Sequence, residues 1–285
     1  MATTGSRVRR DLIHKRHVII APDRRKRPHD DKTKKGCPFC PELIETECLP
    51  ANLTWTDWPN GPWNTKVVPN KFASMHIEGS RDLVRDGIYR DMNGLGAAEV
   101  IIPTAKHKGW YDVTSTEFYQ GLWASKQRII SLKDWKEKTA TGDEGVLEYI
   151  VIFINSGING RESIGHAHLQ LTGLPFVPLL VKPMHENCGE YFDKEGDCPF
   201  CVQRKQEFSD TQPRLVSQND EFFAVVDYAG EYPYQTSIYP KEHRPSFSSC
   251  GDKVMKLLAD IMVETLYRLA QGVGKPDFNI MLVDS

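Results

Sequence analysis

The stretch Asn155-Ser-Gly-Ile-Asn-Gly-Arg-Glu-Ser-Ile-Gly-His166-Ala-His168-Leu-Gln170 joins a polar, glycine-containing loop to two histidines and a glutamine at alternating positions. The run before it, Tyr149–Ile154, is β-branched and aromatic, and the run after it is largely apolar, so the pattern predicts strand, loop and strand. Because side chains alternate between the faces of a strand, His166, His168 and Gln170 are expected together on one face.

These three polar residues indicate a functional site. A single histidine is more often an ordinary core or surface side chain than a catalytic one, but three co-facial polar residues behind a Gly/Asn/Ser loop reverse that expectation. Neutral imidazole attacks phosphorus when its other ring nitrogen is held by a hydrogen bond, and backbone amides of a glycine-containing loop bind phosphate oxygens. The segment therefore predicts phosphoryl or nucleotidyl transfer through a phosphohistidine.

The composition limits the number of domains and the kinds of partner that the protein can have. The 285 residues suffice for one large domain or two of ordinary size, and the 40% hydrophobic and 26% charged fractions are typical of a globular chain. A net charge of −2 gives no general attraction to nucleic acid or anionic membranes. Without an apolar run near ~18 residues or a signal peptide, we expect a cytoplasmic protein. Seven cysteines favour reduced thiols or metal ligands over a disulfide framework.

The chain carries two copies of one series of motifs. Each copy has a Cys-Pro-Phe-Cys tetrapeptide, an extended segment with a proline at its end, a histidine shortly after it, and an amphipathic helical stretch. The copies are Cys37–Cys40, Ala98–Pro103, His107 and Ser115–Lys133, then Cys198–Cys201, Tyr234–Pro240, His243 and Asp252–Gln271. A lone Cys-x-x-Cys is equally a redox pair or a chance pairing, whereas two copies with downstream histidines favour zinc.

The order of elements predicts an α+β fold with mostly antiparallel sheet and helices packed against it. Phe176–Gly196 contains two prolines and many polar residues, so we expect it to connect two halves, 1–175 and 176–285. The Trp-rich stretch Trp55–Trp63 is predicted to form a loop.

Assembled in order, these motifs resemble the galactose-1-phosphate uridylyltransferase family of the histidine-triad superfamily, and within it the ADP-glucose phosphorylase type. The matching segments are Arg9–Asp11, Val18–Pro28, Cys37–Cys40, Pro69–Phe72, Pro103–His107, Asn155–Gln170, Glu190–Phe192, Cys198–Cys201, Pro240–His243 and Phe278–Met281. The resemblance implies two histidine-triad-like halves of antiparallel sheet with flanking helices. It also implies a homodimer whose partner chain helps to complete the site.

The resemblance further implies a nucleotidyltransferase that works by double displacement. His168 would attack the α-phosphorus of a nucleoside diphosphate sugar, UDP-hexose or ADP-glucose, and expel hexose 1-phosphate. Inorganic phosphate or another sugar phosphate would then collect the nucleotide, with Gln170 hydrogen-bonding the phosphoryl oxygens. The family's other substrate contacts fall on Arg24, Arg27, Asn70, Phe72, Asn155, Gly157 and Ser163. Without the resemblance, the contiguous basic run Arg24–Arg27 is typical of a solvated surface.

For metals, the resemblance implies a first zinc held by Cys37, Cys40, His107 and His166, which leaves His168 as the nucleophile. A structural zinc two positions from the nucleophile would fix the strand without taking part in bond breaking. In the second half, Cys198, Cys201 and His243 supply three ligands. Its fourth ligand is open between water, a partner-chain residue and Cys188, and loss of this site or iron in place of zinc are alternatives.

Several positions depart from the family pattern. Ala167 stands where many of these transferases have proline, and Arg161, in a loop region that is usually small or apolar, either binds phosphate or points to solvent. The second half is expected to be incomplete, because relatives continue beyond Ser285 through another strand. Two alternatives therefore compete with the transferase: a dinucleoside polyphosphate phosphorylase or nucleotide hydrolase of the same superfamily, and a non-catalytic zinc and nucleotide-binding protein.

Overall fold

The computed structural model describes residues 5–26, 36–41, 65–79, 83–139, 147–208, 214–244 and 246–283. The strands are β1 (Arg7–Arg10), β2 (His17–Ile20), β3 (Lys66–Pro69), β4 (Leu83–Asp86), β5 (Tyr89–Asn93), β6 (Ala97–Ile102), β7 (Tyr149–Ser156), β8 (Leu169–Leu174), β9 (Leu215–Gln218), β10 (Phe222–Val226), β11 (Thr236–Pro240) and β12 (Phe278–Leu282). The helices are α1 (Ser115–Thr139), α2 (Lys182–Glu195), α3 (Pro199–Glu207) and α4 (Asp252–Val273), with 3-10 turns at Pro22–Lys26 and Trp110–Asp112.

The strands form three sheets, in the orders β12-β7-β8-β6-β3, β2-β1-β5-β4 and β11-β10-β9. Every pairing between these strands is antiparallel. The predicted α+β class with antiparallel sheet is confirmed. Within the described ranges, no helix combines the length and the apolar character that a membrane span requires.

The five-stranded sheet has one face buried against helices. Val67, Ile101, Leu169 and Ile154 form a row across four strands, and all four belong to the core cluster that includes side chains of α1 and α4. Burial of apolar side chains of this size contributes roughly 1.5–3 kcal/mol each. The neighbouring row includes Gln170 and points to the opposite face, because side chains alternate along each strand.

The second half contributes to the first sheet. After α4, which packs against the same core as α1, the chain returns as β12 and pairs with β7. The predicted division after residue 175 falls between β8 and α2, and β12, an edge strand of the five-stranded sheet, comes from beyond it.

The two predicted helical stretches are α1 and α4. The connecting segment 176–196, however, contains α2, which the sequence analysis did not predict. Pro183 lies in the first turn, where a missing amide hydrogen costs no helical hydrogen bond, and Gly196 ends the helix at φ +73. The Trp-rich stretch lies outside the described residues.

Candidate active site and metal centre

The predicted strand, loop and strand are present, and they bury both histidines. β7 ends at Ser156 and β8 begins at Leu169, while His166 and His168 are 0% and 2% exposed just before β8. The backbone between them is held by the amide of Ala167, which donates to the carbonyl of Lys108 at 2.8 Å. Ala167 and Leu169 belong to the core beneath the helices, so the two histidines alternate onto the opposite face.

His166 is oriented by a backbone carbonyl. Its Nε2 lies 2.9 Å from the carbonyl oxygen of Thr104. A carbonyl only accepts hydrogen bonds, so Nε2 carries the proton and Nδ1 carries the lone pair. That Nδ1 faces two thiols, 3.7 Å from Sγ of Cys37 and 3.8 Å from Sγ of Cys40. Burial lowers the pKa of His166, which favours the neutral ring that a metal requires.

Four predicted ligands form one group. Sγ of Cys40 also lies 3.4 Å from Nδ1 of His107, and the ligand atoms of Cys37, Cys40, His107 and His166 all lie within 4.8 Å of one another. The Cys-Pro-Phe-Cys segment closes a turn through a hydrogen bond from the Cys40 amide to the Cys37 carbonyl. The group can hold a metal ion.

His168 is held in one tautomer and one orientation. Its Nδ1 lies 2.8 Å from the carbonyl oxygen of His166, so Nδ1 is the donor and the ring lone pair is on Nε2. Phe39 packs edge-on against the ring, with the centroids 5.0 Å apart, and also lies 6.2 Å from the ring of His166. The turn that carries the two thiols therefore also packs against the candidate nucleophile and supports its ring.

Gln170 presents a buried donor on the same face. Its side chain lies between Val100 and Phe153, its direct neighbours on β6 and β7, and the residue is 4% exposed. Within the part of the chain that the structure describes, its Nε2 has no hydrogen-bond partner. A buried unpaired amide costs about 1–3 kcal/mol, and a ligand that accepts a hydrogen bond here would remove that cost.

Residues of the loop before the histidines form hydrogen bonds with one another. Gly157 adopts φ +77, and its amide donates to Oε2 of Glu162 at 2.8 Å. The amide of Glu162 donates back to the carbonyl of Gly157 at 2.9 Å. A phosphate that uses the Gly157 amide must therefore displace the Glu162 carboxylate.

The loop side chains named by the sequence differ in their surroundings. Oδ1 of Asn155 accepts a hydrogen bond from Nδ2 of Asn279 on β12 at 2.8 Å. Ser163 is buried, whereas Arg161 is exposed at φ +60.

Three predicted nucleotide contacts meet at the opposite edge of the sheet. Nη1 of Arg24 donates to the carbonyl of Phe72 at 3.1 Å, and the amide of Phe72 donates to Oδ1 of Asn70 at 3.0 Å. Asn70 follows β3, two strands from β8, which corresponds to about 10 Å across the sheet. Arg27 lies outside the described residues.

The second copy of the motif also brings its residues together. The ligand atoms of Cys198, Cys201 and His243 lie within 4.8 Å of one another, with Sγ of Cys201 3.4 Å from Nδ1 of His243. This group is more exposed than the first, and Cys201 lies in the first turn of α3. Cys188 is not part of the group.

Two contributors were missed by the sequence analysis. Phe39 was visible only as the shared third residue of the Cys-Pro-Phe-Cys motif. Glu117 caps α1 with Thr114 in a Thr-x-x-Glu capping box and also accepts hydrogen bonds from Thr104 and Lys108 at 2.8 and 2.6 Å. The capping box was detectable from sequence, but its link to the segment that orients His166 and carries His107 was not.

Comparison with known proteins gives a consistent result. The chain is 28% identical to ADP-glucose phosphorylase of Arabidopsis thaliana, over 96% of this chain and 77% of that protein. It is 24% identical to galactose-1-phosphate uridylyltransferase of Thermotoga maritima, over 86% and 70%. The crystal structure of the Arabidopsis thaliana ADP-glucose phosphorylase with bound ADP-glucose superimposes with a TM-score of 0.68 at 26% identity, covering 96% of this chain and 80% of that one. No family model matches the chain. In sequence and fold the chain is therefore similar to ADP-glucose phosphorylase and to galactose-1-phosphate uridylyltransferases.

Proposed function

We propose that this chain is a nucleotidyltransferase that carries a nucleotide between a nucleoside diphosphate sugar and a phosphate-bearing acceptor on Nε2 of His168. The observation that carries the proposal is the buried ring of His168, which is fixed with Nδ1 as the donor to the His166 carbonyl. The names of the two relatives, a phosphorylase of ADP-glucose and a uridylyltransferase, support the same reaction class.

The reaction balances as two in-line displacements. In the first, the Nε2 lone pair of His168 bonds to the α-phosphorus of the nucleotide sugar, the bond to the bridging oxygen breaks, and hexose 1-phosphate leaves with that electron pair. In the second, an oxygen of inorganic phosphate or of a hexose 1-phosphate bonds to the same phosphorus and the phosphorus–nitrogen bond breaks. The ring returns to its starting tautomer, because Nδ1 keeps its proton throughout.

Neighbouring residues have distinct roles in the proposal. The unpaired Nε2 of Gln170 donates to a phosphoryl oxygen, and this contact strengthens as charge develops in the transition state. Asn70 and Phe72 line the base pocket, with Arg24 beside them for the diphosphate. Asn155, Gly157 and Ser163 belong to the loop in front of the phosphates.

We also propose that the first ligand group holds zinc. Zinc bonds of about 2.0–2.3 Å in a tetrahedron place nitrogen and sulfur ligands about 3.6 Å apart, and the three measured separations between thiols and imidazoles are 3.4, 3.7 and 3.8 Å. The hydrogen bond from His166 to Thr104 is the second contact that metal-bound histidines require. A zinc ion here would stabilise the fold. The second group offers three ligands of the same types for another ion, zinc or iron.

The test follows the formation of the covalent nucleotide adduct and the use of phosphate as the acceptor in separate measurements. The protein is incubated with ADP-glucose or UDP-glucose and analysed by intact mass in acid-free solvent, and labelled phosphate is followed into nucleoside diphosphate. An adduct of one nucleoside monophosphate and phosphate-dependent turnover are expected. Binding without an adduct would refute the proposal in favour of a non-catalytic nucleotide-binding protein. The same family pattern implies a homodimer, which sedimentation measures directly.

A further inference from the structure

The segment Lys275–Asn279, which leads from α4 into β12, packs against the loop in front of His168. We call this segment the strut. Its Asp277 accepts two hydrogen bonds from Asn159, one from the backbone amide and one from the side-chain amide, both at 2.8 Å to Oδ2. One carboxylate oxygen therefore fixes both the backbone and the side chain of a loop residue.

Asn279 makes a second pair of contacts with the same loop. Its Nδ2 donates to Oδ1 of Asn155, where the loop begins, and to the carbonyl of Gly160, near its tip, both at 2.8 Å. The strut thus contacts the end of β7 at Asn155 and the loop at Asn159 and Gly160.

The fit between strut and loop leaves no room for side chains. A Cβ built on Gly157 would lie 1.6 Å from Oδ1 of Asp277, and one on Gly160 would lie 2.6 Å from the carbonyl oxygen of Phe278. The strut therefore occupies the space that a side chain at position 157 would fill, and at position 160 it shares that role with β7, whose Ser156 carbonyl oxygen would lie 2.2 Å from the Cβ.

The other side of the strut reaches the segment that carries the metal ligand His107. The hydroxyl of Tyr111 donates to the carbonyl of Pro276 at 2.7 Å, and Nζ of Lys275 lies 3.5 Å from Oδ1 of Asp112. Burial together with the charge of Asp277 raises the pKa of Tyr111 to about 12, so this hydroxyl stays a donor well into the alkaline range. The strut therefore spans the nucleophile loop and the segment whose Lys108 carbonyl binds the Ala167 amide.

We infer that Asp277 and Asn279 are positioning residues, which hold the loop 157–165 in the conformation that presents His168 to the α-phosphorus. A loop with three glycines in nine residues has many conformations of similar energy, and fixing each residue costs entropy. Contacts that fix the loop before substrate arrives remove that cost from the reaction, and misplacement by 1 Å lowers a rate by up to about 10²-fold. The inference rests on the proposed function for its catalytic consequence, but not for the ordering of the loop.

The experiment compares three variants of the full chain. Asp277→Ala removes the acceptor of both Asn159 hydrogen bonds, Asp277→Asn keeps one oxygen acceptor, and Asp260→Ala changes an exposed aspartate of α4 as the control. Each variant is measured for hydrogen exchange of peptides covering 157–166, for the rate of adduct formation in a single turnover, and for the dissociation constant of ADP-glucose.

Asp277→Ala is expected to speed exchange of the loop amides at least tenfold and to slow adduct formation about tenfold, with the dissociation constant changed less than threefold. Asp277→Asn should recover most of the rate, and Asp260→Ala should match the wild type. Unchanged loop exchange in Asp277→Ala would overturn the inference, and so would faster exchange with an unchanged adduct rate. A wild type that forms no adduct would refute the proposed function instead, while the exchange data would still decide whether the strut orders the loop.

Discussion

Replacement of Gln170 by methionine should make the protein more stable and less active at the same time. The buried amide Nε2 has no partner within the described chain, and the direct neighbours Val100 and Phe153 are apolar. Methionine has a similar length and no polar hydrogen, so Gln170→Met removes the unpaired donor without leaving a cavity.

The two effects have calculable sizes. Removing an unpaired buried amide should raise the free energy of unfolding by about 1–3 kcal/mol, which corresponds to about 2–4 °C in Tm for each kcal/mol. Removing a donor that stabilises charge in a transition state should slow adduct formation about 10²–10³-fold, since donors of this kind contribute roughly 2.7–4 kcal/mol.

Thermal unfolding without ligand and single-turnover adduct formation measure the two effects independently. Gln218→Met, at the exposed end of β9, is the matched control and should change neither. A Gln170→Met protein that is less stable than the wild type would show that the amide has a partner within the fold. An unchanged adduct rate would show that it does not contact the phosphoryl group.

Three further outcomes follow from the site. Phe39→Leu removes the ring that packs on His168 and should slow adduct formation about two- to tenfold, whereas Phe200→Leu in the second motif should not. Equal rates of adduct formation in the two variants would show that Phe39 does not position His168. Cys40→Ala should lower the bound metal by one ion per chain in elemental analysis, whereas Cys250→Ala should leave the metal content unchanged. An unaltered metal content in Cys40→Ala would show that the first ligand group does not hold the metal. Burial alone would raise the pKa of Glu117, but hydrogen bonds from Lys108, Thr114 and Thr104 hold that pKa below its ordinary 4.5. The ionised carboxylate therefore stabilises the folded protein above pH 4.5, and this contribution is lost as the pH falls further. Unfolding free energies measured from pH 6 to 3 should therefore fall more steeply in wild type than in Glu117→Gln, and parallel curves would contradict this.

Local patterns in the sequence predicted much of the arrangement at the centre of the candidate site. Alternation in His-Ala-His-Leu-Gln correctly separated the core residues from the polar ones, because the period of a strand is a property of the backbone alone. The repeated Cys-x-x-Cys with a downstream histidine grouped residues 37, 40 and 107, since two cysteines in one turn require further ligands from elsewhere. Residue 166 was added only by the family resemblance, and the structure brings all four together.

Contacts that depend on tertiary structure were not predictable from these patterns. The strut reaches the loop only because β12 pairs with β7, more than a hundred residues earlier in the chain, and neither Asp277 nor Asn279 carries a periodic signal. Arg24 binds a backbone carbonyl, which any residue at position 72 would supply, so no side-chain pattern marks the contact. The prolines and polar residues of 176–196 predict a connection between halves, yet α2 forms there because proline in the first turn of a helix is favourable.

The central claim is that a nucleotide is carried on His168, and intact mass analysis of the protein after incubation with a nucleoside diphosphate sugar tests it most directly. The wild type and His185→Ala, which changes an exposed histidine of α2, should each gain one nucleoside monophosphate, and His168→Ala should gain none. The same adduct on His168→Ala, or its absence from the wild type with every nucleotide sugar tried, would contradict the claim.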